Sequence, residues 1–278
     1  MEKKKRLFCE INPTTYYISL QKEKLKRHLK NLIGNEHYAK ELVTDQKLPV
    51  IISEHGGDMI KRGPGIDPVL QANKADNIRL ACSKINGIVI KPGETFSFWR
   101  QVGKTSKRNG FADGRVLVNG RLVAGVGGGL CNLANTINLL ILHSPMTITE
   151  IHHHSDALAP DPNGVHVPYS AGTSVNYNFI DYRFRNDTQQ PVQLCTWCDG
   201  DILHAELRTT VQYPNTYRLT EDDHHFHKED NGKYYRNSKI YRETIDRESG
   251  RVVSRELNWN NHSEVMFDYN LIPKEQIR

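Results

Sequence analysis

The order of apolar and polar positions divides the chain into a helical start, a mixed middle and a strand-rich end. Residues 16–42 are rich in Leu, Lys and Glu. Leu20, Leu25, Leu29 and Leu32 recur there at helical steps, which predicts an amphipathic helix with a basic, solvated outer face. Residues 49–53 form a short apolar run that predicts a buried strand. His55-Gly-Gly57 and residues 62–66 carry turn chemistry. A second helix is expected over Pro68–Ile85, with Asp67 as cap and Pro68 at its first position. Leu70, Ile78, Leu80, Ala81 and Ile85 are its inward residues, Cys82 lies on or near that side, and Asn86-Gly87 ends it.

Beyond this helix the period shortens. Ile88–Ile90 predicts a strand, and residues 91–99 a turn followed by a second short strand. Residues 115–118 and 121–124 flank Asn119-Gly120, a dipeptide suited to a type I′ turn, and so predict a β-hairpin. Residues 146–151 and 174–185 alternate as strands, the latter with Val175, Tyr177, Phe179 and Phe184 inward. Residues 192–197 and 202–208 predict a second hairpin around Asp199-Gly200. After about Thr210, residues 217–220, 233–245 and 251–257 read as exposed strands, with 221–231 a polar connection that carries surface histidines 224, 225 and 227.

The most informative stretch is 125–143. Gly127, Gly128 and Gly129 open it, and Leu130, Leu133, Ala134, Ile137, Leu140 and Ile141 then form a helical stripe that Ser144-Pro145 stops. Cys131 therefore belongs in the first turn of a helix leaving a glycine turn. Unpaired N–H groups and the helix dipole favour an anion there, so a thiolate or an oxyanion is stabilised. The alternative is a cysteine packed as a small hydrophobe beneath glycines that permit close approach. The pattern as a whole predicts an α+β fold, a mostly antiparallel sheet packed against a few helices. It divides into an N-terminal helical region (1–74), a core (75–210) and a β-rich extension (211–278).

Composition narrows the function classes. The chain has 278 residues, 37% hydrophobic and 25% charged, with a net charge of +5. That is globular and only mildly basic, and no nucleic-acid motif accompanies it. No run approaches the ~20 apolar residues of a membrane span. The basic start (residues 3–6) is followed by a stretch too polar for a signal sequence, so a cytoplasmic protein is expected. Five widely spaced cysteines fit a reducing compartment without disulfides. No cofactor is implied, and the oligomeric state is left open.

Several motifs together resemble the VanW family, named for an accessory protein of type-B vancomycin resistance clusters. They are Pro92-Gly-Glu-Thr-Phe-Ser-Phe98, Val102-Gly103, Gly110-Phe111, Asn119-Gly120, the glycine–cysteine run 125–132, Glu150 with His154-Ser155, and the run 181–188. The resemblance spans roughly 75–208. It departs from the common pattern at Asn132, where Gln is usual, and at Gly172-Thr-Ser-Val175, where many members have Asp-Ala-Thr-Val. It implies a link to glycopeptide resistance and peptidoglycan metabolism, with a stem peptide or its precursor as partner. Through larger members it also implies L,D-transpeptidase-like chemistry, with Cys131 at the nucleophile position.

Acyl transfer needs a nucleophile, a base and an oxyanion site. The assignment is Cys131 as nucleophile and His154 as base, oriented by Glu150, Asp156 or Asp181. Gly127, Gly128, Gly129, Asn132 and Ser155 are the substrate-binding positions. Two rivals are weighed. His152 and His154 share a strand face, and His166 and Cys131 are the conceivable further ligands of a metal site, but no metal is assigned. Cys195-Thr-Trp-Cys198 has redox spacing, but on a strand its thiols point to opposite faces. If Cys131 is not catalytic, the glycine–cysteine turn serves instead as an anion nest for a precursor or partner.

Overall fold

The computed structural model describes residues 7–63, 66–118, 121–157, 160–161 and 172–278. The Asn119-Gly120 turn and His166 lie outside them. The fold is α+β with mostly antiparallel sheets. One sheet runs β1 (Glu41–Leu42), β3 (Ile88–Ile90), β10 (Val192–Asp199), β11 (Ile202–Thr209) and β2 (Val50–Asp58), antiparallel throughout. A second is β4 (Thr95–Ser97), β9 (Arg183–Arg185) and β7 (Thr147–Glu150). Strands β5 (Asp113–Val118) and β6 (Arg121–Val126) form the expected hairpin.

Helices α2 (Pro68–Ile85) and α4 (Leu130–Leu142) cover the first sheet. Asp67 caps α2, its carboxylate accepting from Val69 and Leu70 N–H. The stripe read for α4 is buried: Leu133, Ala134, Ile137 and Ile141 are fully enclosed. Short α3 (Phe98–Val102) follows β4, and Phe96, Phe98, Tyr182 and Phe184 fill the core beside it. The C-terminal sheet, β12 (Asn215–Lys228), β13 (Tyr234–Asp246), β14 (Val252–Val265) and β8 (Asp156–Ala157), abuts the end of α4. Arg242 on β13 donates to the Leu142 carbonyl (3.1 Å) and to that of Ser144, two acceptors at the end of α4.

Four expectations are corrected. Strand β2 extends through His55-Gly-Gly57, which is ladder rather than turn, and as an edge strand it leaves Ile51 exposed. Strand β12 continues to Lys228 instead of giving way to a polar connection, because it pairs with β13 along that length. Residues 174–182 are not a strand. Asn178 adopts φ 61°, which breaks the alternation, and only Arg183–Arg185 is strand.

The largest correction concerns α1 (Pro13–Ile33). It buries no residue, and three of its four leucines, Leu25, Leu29 and Leu32, are exposed while Leu20 is half-buried. Its polar side holds it in place. Arg27 forks onto the Glu150 carboxylate (2.6 Å to Oε2), Asn31 accepts from Arg183 (2.7 Å) and His28 meets Asn178 (2.9 Å). One ion pair and two side-chain hydrogen bonds, not hydrophobic burial, decide which face turns inward.

Arg183 is the hub of that network. Its side chain is only 3% exposed, and its Nε–H donates to Asp181 (2.8 Å). Its other nitrogens donate to Glu36 (2.7 Å), Tyr38 (2.6 Å) and Asn31. Asp181 also accepts from Ser97 (2.6 Å) and the Trp99 N–H (3.1 Å). Burial alone would raise the Glu150 carboxyl, but Arg27, His152 and Arg183 hold it below its ordinary 4.5. A carboxylate so depressed stabilises the fold above its unfolded value, and that stability is lost as pH falls through the lower folded value. Arg183→Met removes the cation from Asp181 and Glu36 and is expected to cost about 3–5 kcal/mol by urea denaturation. Glu150→Gln should flatten the loss of stability below pH 4.5.

Candidate functional site

The structure places Cys131 in the first turn of α4, behind the N-cap Gly129 at φ 104°. Glycine is required at the turn for two separate reasons. A Cβ on Gly129 would meet Lys74 Cγ at 2.3 Å, and one on Gly128 would meet the backbone of Gly114 at 2.3 Å. Asn77 locks the turn from α2, donating to the carbonyls of Gly128 (2.9 Å) and Ala112 (3.0 Å). Gly127 N–H donates to Ala112. Asn132 reaches the carbonyl of Asp58 at the end of β2 (3.3 Å). The turn is thus a rigid junction of the hairpin, α2 and α4.

The Cys131 thiol is turned towards the Val175 carbonyl at 3.6 Å. Burial pushes its pKa up from the ordinary value. The contact with Val175, its own backbone N–H and the charge of Lys74 oppose that rise without overcoming it. Lys74 was not singled out by the sequence reading. It stands at the centre of the inward row of α2, midway between Leu70 and Ile78, and a lysine interrupting an apolar row is the signal that marks it. Burial lowers its ammonium to about 8, and the charges of Lys61 and Arg115 add to the effect, while the Cys131 thiol favours the protonated form. Lys61, Lys74 and Arg115 therefore concentrate positive charge beside the N-terminus of α4.

The histidine run lies along the other side of residues 172–175. The Ser174 N–H donates to the His152 carbonyl, and the His154 N–H to that of Gly172. Asn135 on α4 accepts from Thr173 (3.3 Å), so this segment lies between the histidines and the cysteine helix. Burial lowers His154, and the charge raising it is that of Asp156. His153 stacks on Trp259 of β14, with ring centroids 4.0 Å apart, and burial with its two neighbours lowers it to about 4. His152 contacts Glu150 (3.2 Å). Asp156 and Ser155 join the C-terminal sheet. Asp156 lies on β8, and the Ser155 carbonyl accepts from Glu264.

The predicted residues therefore fall into two groups. Cys131, Gly127, Gly128, Gly129 and Asn132 share the glycine turn. Glu150, His154, Ser155 and Asp156 lie across segment 172–175, with Glu150 and Asp181 drawn into the Arg27 and Arg183 network. A Cβ at Gly172 would stand 3.4 Å from the His154 ring. Among the described residues, no group of three or more His, Cys, Asp or Glu converges as a metal site. Of the CxxC pair, Cys195 is buried and Cys198 meets Cys82 instead (3.9 Å). A separate cavity of about 320 Å³ lies beneath α1, lined by Arg27, His28, Asn31, Trp99, Tyr177 and Arg183 among others.

Residues 73–208 match the family model described as VanW like protein. Over 227 residues the chain is 28% identical to vancomycin B-type resistance protein VanW of Enterococcus faecalis, spanning 82% of each chain. Over 153 residues it is 26% identical to uncharacterized protein YoaR of Bacillus subtilis, spanning 51% of this chain and 48% of that one. No solved structure matches.

Two outcomes follow from the thiol and the lysine. Alkylation of Cys131 by iodoacetamide, followed by mass spectrometry of the native protein, should be slow at pH 7 and accelerate only above the ordinary value of 9.0, with His154→Ala leaving the rate unchanged. Fast labelling at neutral pH would overturn this. Between pH 8 and 10.5 the unfolded chain holds a Lys74 proton that the folded chain lacks, so this group makes stability rise with pH across that window. Lys74→Met should accordingly stabilise the protein at pH 7, by about 1–3 kcal/mol in thermal or urea denaturation.

Proposed function

This chain belongs to the VanW family, and on that footing we propose that it acts in glycopeptide resistance by binding an anionic group of a peptidoglycan stem or its precursor at the glycine–cysteine turn. The reading is supported most by Lys74. A half-buried ammonium, crowded by Lys61 and Arg115 at a helix N-terminus, is relieved by an anion bound beside it. A carboxylate or phosphate placed there relieves the repulsion and meets the first N–H groups of α4. The rigid turn costs nothing to reorganise on binding.

Cys131 has a different part in this reading. Its thiol, held neutral by burial and turned towards Val175, forms a wall of the site and makes no thioester. A second reading, cysteine acyl transfer, draws on one observation: a lysine titrating near 8 is suited to take a thiol proton at neutral pH. In that case Lys74 fills the role first assigned to His154, and the N–H groups of Gly129, Leu130 and Cys131 face the oxyanion.

Calorimetric titration of the full chain with a stem pentapeptide and with its nucleotide-linked precursor separates the readings. Binding should weaken by about tenfold from pH 7 to pH 9 as Lys74 loses its proton, and Lys74→Met or Arg115→Met should weaken it comparably. Cys131→Ala should still bind. Affinity indifferent to Lys74 and Arg115 would sink the proposal. A stem peptide found covalently on Cys131 by mass spectrometry would establish the second reading instead.

A further inference from the structure

Helix α1 is oriented inside out. At 100° per residue, Ile18, Leu25, Leu29 and Leu32 form one stripe, and all four are exposed, Leu32 by 80%. Arg27, Asn31 and Lys24 lie on the opposite side, where Arg27 and Asn31 are held by Glu150 and Arg183. Single exposed leucines are ordinary on a protein surface, but three on successive turns of one helix face, with Ile18 on the same side two turns earlier, are not. Before the helix, Phe8 and Ile11 are also more than half exposed. Tyr17 is exposed beside it, with the apolar body and polar tip that suit a water–lipid boundary.

The charge of the helix indicates what covers this face. Lys22, Lys26 and Lys30 follow one another at i, i+4 spacing along one flank of the stripe, and all are exposed. With Lys24 and Arg27 they stand against a single acid, Glu23, which pairs with Lys26 (2.7 Å). The sequence just before, residues 3–6, is basic as well. A low-polarity stripe bordered by lysines whose stems can extend to phosphates is the composition of a helix lying in a bilayer interface. Among the described residues no helix is long and apolar enough to cross a membrane.

We propose that the outward face of α1 docks the protein on an anionic membrane surface, the leucine stripe entering the headgroup region and the Lys22, Lys26 and Lys30 row binding lipid phosphates. Helix α1 then has two occupied faces. Its polar face is anchored to the core above the cavity lined by Arg27, His28 and Asn31, and its apolar face is in lipid. This inference is independent of the anion site at Lys74.

Co-sedimentation of the full chain with vesicles tests it, using phosphatidylcholine alone and phosphatidylcholine mixed with phosphatidylglycerol. Binding is expected to the mixed vesicles, falling as salt rises, and to drop by about tenfold or more for Lys22→Glu/Lys26→Glu/Lys30→Glu. A comparable drop is expected for Leu25→Ser/Leu29→Ser/Leu32→Ser. These side chains are exposed in the fold, and circular dichroism of each variant checks that it remains folded. Lys74→Met should sediment like the parent chain. Equal binding to both vesicle types, or no binding to either, overturns the proposal. So does a dimer, seen by light scattering, that the leucine substitutions dissociate, since the face would then belong to a second copy of this chain.

Discussion

A guanidinium cannot be buried alone, and the need to surround that of Arg183 organises much of this structure. Asp181 meets it from two residues away, but one carboxylate leaves most of the fork unsatisfied. The remaining nitrogens are met by Asn31, Glu36 and Tyr38, all from the first forty residues. The same Asp181 accepts from Ser97 and Trp99, which fixes the strand-to-helix corner that puts Phe96 and Phe98 in the core. Glu150, reached by Arg27, completes the set. The N-terminal helix, the small sheet and the aromatic core are therefore joined through charges rather than through shared apolar area.

That arrangement has a chemical consequence at the glycine turn. The acids nearest in sequence serve the histidine run rather than the cysteine, Glu150 touching His152 while it is held by Arg27, and Asp156 favouring the protonated form of His154. Among the described residues, Lys61 and Arg115 are the cations that bear on Lys74 beside Cys131. A histidine base needs an acceptor to orient it, and position 172, whose side chain would face the His154 ring, is glycine here. Cationic crowding favours any anion at the turn, a thiolate included, but burial of the Cys131 thiol outweighs it and leaves the thiol a poor nucleophile at neutral pH.

Much of the fold was legible because its signals are local. Asp67-Pro68 fixed the start of α2, the glycine triplet and the stripe from Leu130 fixed α4, and paired alternations around short turns fixed the hairpins. The errors share a cause: they sit where long-range contacts decide. His55-Gly-Gly57 reads as a turn but is held in a ladder by β11. Residues 221–228 are polar but pair with β13. Residues 174–182 alternate, yet one left-handed residue at Asn178 ends the strand pattern. For the site, sequence located Cys131 and the turn because helix start signals are local. It missed Lys74 because that residue is 57 positions away and reaches Gly129 only through the packing of α2 on α4.

The first helix makes the same point in reverse. Its periodicity was read correctly and its orientation was not, because an amphipathic pattern states that two faces differ without stating which is inward. The usual assumption is that the apolar face meets the protein. Here the inward face is chosen by Arg27, His28 and Asn31, each with a specific polar partner across the interface. Turning the helix over to bury its leucines would leave Glu150 without Arg27, and Arg183 without Asn31, in an interior where an uncompensated charge costs more than a few exposed leucines. Once the polar face is committed inward, the leucine stripe has no place within the chain.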